Sequence, residues 1–262
     1  MSVNAREAGD EMDALIQYCA RYDPSFATAA VGVSDQDLAR LEALAGTRLP
    51  PEYVAFQRRF GRTASGALGS FLADTEFGVD AAVNYYEQSV EPRSDRAVFL
   101  WTVDRQFNAF LSLDAIDGFR PIVELSWPFS DETGEFVDGA PSVTTVARSM
   151  MQFLYREAFT EVRLPSLEYH ARLRENVRGA KPGASDTDDR RRRYREIAQR
   201  LEFQQVPFVE GSTLFFDRWD AALGLIGESH APDSLYVAAS TETELHRLTE
   251  VLSDNLDFLP WS

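Results

Sequence analysis

Ser34-Asp35-Gln36-Asp37-Leu38-Ala39-Arg40-Leu41-Glu42-Ala43-Leu44-Ala45-Gly46, then Thr47-Arg48-Leu49, then Pro50-Pro51-Glu52-Tyr53-Val54-Ala55-Phe56-Gln57-Arg58-Arg59-Phe60-Gly61, reads as two short helices punctuated at every end. Ser34 is placed to accept from a free amide at the first helix start. Asp35 and Asp37 put negative charge at the positive end of the helix dipole. Leu38, Leu41, Leu44 and Ala45 form an apolar stripe at helical spacing. Gly46 can close the helix in the left-handed conformation. Pro51 suits a first helical turn, where its missing amide hydrogen costs nothing. Tyr53, Phe56 and Phe60 share one face of the second helix, and Gly61 stops it. None of these residues forms a chemical constellation. They make a helix–elbow–helix that has to be packed against something.

Working outward, the N-terminal side predicts one more helix. Asp10 caps it, Met12, Leu15, Ile16 and Cys19 are its buried stripe, and Asp23-Pro24 marks its end. Residues 25–33 read as a loop. After Gly61 comes a turn of small residues. Gly61 and Gly66 have the spacing that opens a phosphate-binding loop, but Ala67-Leu68 stands where Lys-Ser/Thr is needed, which excludes that motif. Val79 to Val90 reads as a helix with Ala82, Tyr85 and Tyr86 inward. The period then changes. Residues 97–103 and 107–113 read as a hairpin, with Phe107, Ala109, Leu111 and Leu113 on one face. Residues 121–127 are a third strand, 131–139 an acidic loop or hairpin tip, and 142–145 a brief strand. Thr145 is the expected cap of a helix carrying Val146, Met150, Phe153 and Leu154 inward. Helices first, a hairpin-rich sheet next and a helix last spell α+β, with the N-terminal helices packed on an antiparallel or mixed sheet.

A helix is expected from Leu164 to about Val177, and residues 179–186 are the best linker in the chain. Asp188-Asp189 open another helix, running to Leu201. Residues 205–210, 213–217 and 235–239 read as strands, and Thr241 caps a last helix with Leu245, Leu248, Val251 and Leu252 on one stripe. The expected organisation is a first domain over 1–165, a helical connector and linker over 166–187, and a smaller α+β lobe over 188–262.

Composition narrows the function. The chain holds 44% hydrophobic residues and a net charge of −16. Residues 62–147 contain 14 acidic against 5 basic side chains, and residues 203–262 contain 10 against 2, while 161–202 contain 8 against 11. The charge therefore lies on two folded-looking segments rather than in a tail. It serves solubility, or it forms a docking surface for a basic partner. It disfavours nucleic acid, whose phosphates would be repelled. No run approaches the ~18 apolar residues of a spanning helix, and Met1 to Asp10 lacks an apolar signal core, so a cytosolic protein without membrane contact is expected. Cys19 is alone, which leaves no disulfide framework. His170, His230 and His246 have no metal-ligand spacing, and no nucleophile elbow occurs. The expectation is therefore no catalytic residue, no metal and no cofactor. The Arg190–Arg193 run follows Asp186, Asp188 and Asp189 and precedes Glu196, which reads as a salt-bridged solvated helix.

Residues 34–61 resemble the signature of the SUKH superfamily. The matching residues are Leu41-Glu42, Leu49-Pro50, Glu52-Tyr53, Phe56 and Gly61; Phe60 stands where Asn is usual and Arg62 where a second Gly is common. Phe110 to Asp114, Pro121-Ile122-Val123 and Val146 to Leu154 look like the family's later elements in the right order, so the resemblance spans residues 34–160. It implies a helix pair on a mixed or antiparallel sheet without catalytic machinery. Bacterial members are mostly immunity proteins that bind and neutralise polymorphic toxins, and other branches are regulatory or scaffolding modules. The implied partner is a cognate toxin domain with a basic surface, bound in the cytosol. An enzyme that reverses a toxin's modification is the third reading, disfavoured by the missing motifs. The partner-facing residues expected are Trp101, beside a polar turn where an indole can anchor an interface, with Asp104, Asp114, Asp117, Asp131, Glu132, Glu135 and Asp138 supplying charge around it. A solvated hairpin tip is the alternative reading of 131–138. The oligomeric state and the role of the C-terminal lobe are left open.

Overall fold

The computed structural model describes residues 5–64, 66–73, 75–89, 91–103, 107–130, 133, 135–137, 139–175, 187–209, 211, 213–227, 233–256 and 258–260. The chain divides into two compact units, Met1–Ala158 and Phe159–Ser262. The fold is α+β, and every strand pairing among the described residues is antiparallel.

The first unit runs α1 (Ala5–Ala20), α2 (Phe26–Ala29), α3 (Asp35–Ala45), α4 (Pro51–Phe60), β1 (Thr75–Phe77), α5 (Val79–Gln88), β2 (Ala97–Val103), β3 (Phe107–Ser112), β4 (Ile122–Ser126), β5 (Phe129–Ser130), β6 (Glu135–Phe136), β7 (Ser142–Ala147) and α6 (Met150–Glu157). Its main sheet has the order β1-β2-β3-β4-β7, and β5 pairs with β6 alone. The helix pair α3–α4 is punctuated as its sequence requires. Ser34 accepts from the Asp37 amide while the Asp37 carboxylate accepts from the Ser34 amide, a complete capping box, and Gly46 closes α3 at φ +66°. Glu42 turns its carboxylate onto the Leu49 amide at 3.1 Å, which fixes the elbow. Tyr53, Phe56 and Phe60 are buried, and Arg59 clamps α4 to Asp13 of α1 with two hydrogen bonds of 2.6 and 2.8 Å.

Gly61 ends α4 for want of space rather than for its dihedral, since its φ is −63°. A Cβ there would stand 2.4 Å from Gln57 Oε1 and 2.5 Å from Val33 Cγ1. The segment around Gly32 crosses the same helix end so closely that a Cβ on Gly32 would lie 1.9 Å from the Arg58 carbonyl oxygen.

A β-bulge at Leu100 sets the sheet's two faces. Phe99 opposes Phe110, but Trp101 opposes Ala109. Ala109 and Phe110 are consecutive in a strand and so point to opposite faces. Tyr85 of α5 stacks on Phe99 with centroids 4.6 Å apart. On the other face Trp101 meets Phe56 of α4 and Phe153 of α6. Helical side chains therefore reach both faces here. This is why Phe110 is buried as well as its alternating neighbours Ala109 and Leu111, while Phe107, expected on one face with Ala109, Leu111 and Leu113, is exposed. Two boundaries differ from expectation. The first helix begins by Ala5, ahead of Asp10. Thr145 caps nothing; it pairs with Val123 in β7, where the β-branched run Val143 to Val146 favours strand, and Ser149 caps α6 by accepting from Gln152.

The second unit begins with a π-helical turn (Ala158–Arg163, shared at its first residue) and a 3₁₀ turn (Leu164–Ser166). It continues with β8 (Tyr169–Glu175), α7 (Thr187–Arg200), β9 (Gln204–Gln205), β10 (Thr213–Arg218), β11 (Ala221–Ile226), β12 (Ser234–Ala239), α8 (Glu242–Leu256) and β13 (Phe258–Pro260). The sheet order is β13-β8-β12-β11-β10-β9. This corrects the expected helical connector over 166–187. Residues 169–175 alternate in exposure as a strand does and pair with both β12 and β13, so they lie inside the second unit's sheet. The unit boundary accordingly falls at Ala158/Phe159, ahead of residue 165. The linker expected at 179–186 lies outside the described residues.

Leu173, Leu235, Leu225 and Leu214 align across the strands and share one core with Tyr194 and Ala198 of α7 and Leu248, Leu252 and Leu256 of α8. On the reverse face Phe215 opposes Gly224. Phe159 lies over that glycine and stacks on Phe215 at 4.2 Å with a 10° interplanar angle. The final helix is capped as expected, Thr241 Oγ1 accepting from the Glu244 amide at 3.3 Å.

Candidate interaction surface

The structure corrects the expected role of Trp101. Its side chain is 0% exposed, wedged between Phe56 and Phe153, and no partner can reach it. The polar turn beside it misled the sequence reading. The bulge at Leu100 turns the indole into the core, and nothing local to the sequence signals that bulge.

Asp114 and Asp117 both lie on the β3–β4 connection and are exposed. Asp114 accepts from Arg96 Nε at 2.8 Å. Asp117 and Gly118 form the tip of a tight turn with φ of +52° and +85°, closed by Ile116 and Phe119 through hydrogen bonds of 2.7 and 3.0 Å. Two consecutive positive φ values are the signature of a type I′ turn. Arg148 reaches both parts of this tip. It stands 3.8 Å from Asp117, and its guanidinium lies 5.1 Å above the Phe119 ring. Ile116 and Phe119 are themselves exposed.

Glu135 is exposed on β6, in the separate hairpin β5–β6. The β3–β4 connection enters β4 at Ile122, and the β5–β6 hairpin leaves after Ser126. The five residues of β4 separate the two by roughly 16 Å. The described acidic residues therefore do not form the single patch expected of them. Asp104, Asp131, Glu132 and Asp138 lie outside the described residues. Around Glu135, exposed Phe129 packs edge-on against Phe136 at 5.4 Å, and Val137 and Val143 are exposed as well.

The basic run at 190–193 is salt-bridged as expected, but Arg190 and Arg191 are largely buried, and Arg190 finds its partners outside the helix. Arg190 bonds Asp233 at 2.9 Å and also holds Glu175; Arg191 pairs with Asp188, Arg192 with Asp189, and Arg193 with Asp189. Burial raises the Asp233 pKa in spite of Arg190 beside it. Cys19 is buried, which pushes its thiol up to about 12 and away from thiolate chemistry. His170 sits on a strand, its Nε2 2.7 Å from the Leu167 carbonyl oxygen, and His246 stands 3.8 Å from Glu242 on α8. Among the described residues no group of three or more His, Cys, Asp or Glu side chains could hold a metal ion.

The residue that sequence reading passed over is Trp219. It is 85% exposed, the most exposed large apolar side chain among the described residues. Arg218 pairs with Ala221, so Trp219 and Asp220 alone form the β10–β11 turn. Charged groups brace this tip from below. Arg163, 2% exposed, donates to Asp217 at 2.7 Å and to the carbonyl oxygens of Arg218 and Ala221 at 2.6 and 3.2 Å, one on each side of the turn. Arg218 bonds Asp220 at 2.6 Å, also holds Glu244, and lays its guanidinium 4.6 Å from the Phe203 ring centroid. Arg247 and then Arg218 hold the Glu244 carboxyl at about 2. The signal available in the sequence was a two-residue gap, Trp219-Asp220, between two strand-like runs. It was missed because Ala221-Ala222-Leu223-Gly224-Leu225-Ile226 is poor in β-branched residues.

No helix among the described residues is long and apolar enough to cross a membrane. The chain matches no protein-family model and no curated protein.

Proposed function

We propose that this protein is an immunity protein of SUKH type, which neutralises a cognate polymorphic bacterial toxin by direct stoichiometric binding in the cytosol. The observation that carries this reading is two separate groups of exposed apolar side chains, Ile116 and Phe119 on the β3–β4 turn and Phe129, Val137 and Val143 around the β5–β6 hairpin, both in a segment, residues 107–143, whose acidic side chains outnumber its basic ones. Apolar side chains within a field of one sign suit a partner of the opposite sign, with charge speeding encounter and the apolar groups holding the complex. Support of a second kind comes from the residues that carry the family resemblance, each of which has a structural task. Glu42 ties the elbow, Glu52 bonds Arg120 at 3.1 Å, and Tyr53 and Phe56 fill the core. Residues 34–61 thus serve the scaffold, and we look for binding in the segment after it.

The test is co-expression with the product of the neighbouring open reading frame. The expected result is that the neighbour is toxic alone, harmless with this protein, and bound to it one-to-one in a complex that weakens with salt. A harmless neighbour, or toxicity unaffected by this protein, overturns the reading. Recovery of a housekeeping partner instead would favour a regulatory or scaffolding module.

A further inference from the structure

We propose that β7 is the docking edge for the toxin, pairing with an extended strand of that partner that carries lysine or arginine on one face and apolar side chains on the other. This rests on the toxin-binding reading and gives its mode of contact, and every residue it uses belongs to the first unit.

An unpaired sheet edge presents free N–H and C=O groups, and proteins blunt such edges by keeping them short or by placing proline or charge on them. Among the described residues, three of the four outer edges of the two large sheets are blunted in this way. β1 has three residues, β9 has two, and β13 has three and ends in Pro260. β7 has none of these devices. It runs for six residues, Ser142-Val143-Thr144-Thr145-Val146-Ala147, without proline or charge. Val143 to Val146 are all β-branched, which suits them to the extended conformation. Ser142 to Thr145 are exposed in succession, so both faces of the strand are open there. β4 fills one edge of β7, in unbroken register from Ser142 to Thr145. Along the other edge every second residue turns its N–H and C=O outward. Among the described residues, no backbone hydrogen bond joins 142–147 to anything but β4.

The two faces of this edge differ, and the difference selects the occupant. Ser142 and Thr144 share one face with Ser126 and Glu124 of β4, while Val143 and Thr145 share the other with Leu125 and Val123. Glu124 is half-buried, and among the described residues it has no hydrogen-bonding or ionic partner. Glu135, on the hairpin that leads into β7, is exposed and likewise has none. Arg148, directly after β7, is already engaged by Asp117 and Phe119. A strand laid along β7 stands two strand spacings from β4, roughly 10 Å. A lysine or arginine opposite Thr144 can lean across that small side chain to the Glu124 carboxylate. On the other face Val143, 60% exposed, offers an apolar cross-strand contact. A second copy of β7 would bring only Ser, Thr, Val and Ala and leave both Glu124 carboxylates unpaired. A nucleic acid or a lipid headgroup lacks the alternating N–H and C=O groups that an open edge takes up.

The experiment uses the full-length protein and the toxin domain encoded beside it. Hydrogen exchange is expected to slow in the complex at the outward-facing amides of residues 142–147. Thr144→Lys should fold normally, with an unchanged circular dichroism spectrum and melting midpoint, because Thr144 is exposed. It should weaken the complex by about 10-fold or more, since its ammonium group charges the edge and takes up Glu124 itself. Glu124→Gln should weaken the complex by about 3-fold or more and flatten its salt dependence. A wild-type complex in which the β7 amides exchange as in the free protein and Thr144→Lys binds equally well overturns strand docking and leaves the toxin-binding reading standing. No complex with wild type overturns both. Protection of β7 in the protein alone as its concentration rises, with a dimer in sedimentation that Thr144→Lys abolishes, gives the edge to a second copy and also overturns the proposal.

Discussion

Arg163 Nε donates to Asp217 Oδ1 at 2.7 Å, with the arginine 2% exposed. The pair joins the π-helical turn at the start of the second unit to the end of β10. A buried ion pair of this kind contributes little net stability while intact, because desolvation offsets attraction, but losing one partner strands the other. Arg163→Met is expected to destabilise the second unit by about 3–5 kcal/mol. Hydrogen exchange in the full chain should show β10 and β11 losing protection first. Protection at wild-type level would contradict the bracing role.

Glu244 gives a pH dependence with a definite sign. Its carboxyl is held at about 2 by Arg247 and Arg218, against an ordinary 4.5. A carboxylate lowered on folding contributes stability that is present in full above the unfolded value and is lost as pH falls through the folded one. Wild type should therefore exceed Glu244→Gln in stability near neutral pH. The difference should close as pH falls from 4.5 toward 2. Urea unfolding across that range measures it, and a difference that does not change with pH would show that Glu244 acts only through its shape.

Gly32→Ala places a methyl group 1.9 Å from the Arg58 carbonyl oxygen, which is backbone at the end of α4 and cannot swing aside. The segment must pull away, breaking the hydrogen bonds from the Val33 amide to the Gln57 carbonyl oxygen (3.1 Å) and from the Arg62 amide to the Val31 carbonyl oxygen (2.9 Å). We expect a loss on the order of 3 kcal/mol or more, from lost hydrogen bonds and packing together. Gly9→Ala is the control, since nothing lies within 4 Å of the added carbon; it should be neutral or slightly stabilising, as alanine favours the helix. Equal melting temperatures for the two variants would refute the close-approach account.

Trp101→Phe separates core from interface. The indole Nε1 is buried without a hydrogen-bond partner, so phenylalanine loses volume and no hydrogen bond. The variant is expected to cost about 1–3 kcal/mol of stability, as partial emptying of a packed site does. Affinity for the proposed toxin partner, measured by calorimetry below the melting range, should not change. A selective loss of binding at wild-type stability would restore Trp101 to the interface.

Ser34→Ala removes one half of the capping box and leaves the Asp37 amide without its acceptor. The expected cost is ~1 kcal/mol, read as a lowered thermal midpoint with native circular dichroism. No change would mean that Asp35 and Asp37 suffice at the helix dipole.

Much of the first unit was legible from side-chain chemistry that acts over three or four residues. Ser34, Gly46 and Pro51 mark helix ends because capping and left-handed geometry are local, and α3 and α4 lie where those residues put them. The hairpin β2–β3 was legible from its period. Less of the second unit was. Tyr169–Glu175 reads as helix by composition and is a strand because β12 and β13 offer it hydrogen bonds on both edges. Ala221–Ile226 carries little strand propensity and is a strand because β10 and β12 enclose it.

The acidic balance, the α+β class and the capped helix pair follow from the amino-acid sequence alone, since each depends on composition or on neighbours along the chain. The fate of the two tryptophans was decided by tertiary structure. Trp101 lies within β2, three residues before Asp104, and Trp219 in a turn directly before Asp220. A one-residue bulge turns the first onto a face covered by α4 and α6. A two-residue turn, tied from below by an arginine more than fifty residues earlier in the chain, holds the second out in solvent. The difference lies in strand register and long-range hydrogen bonds, which no local stretch encodes.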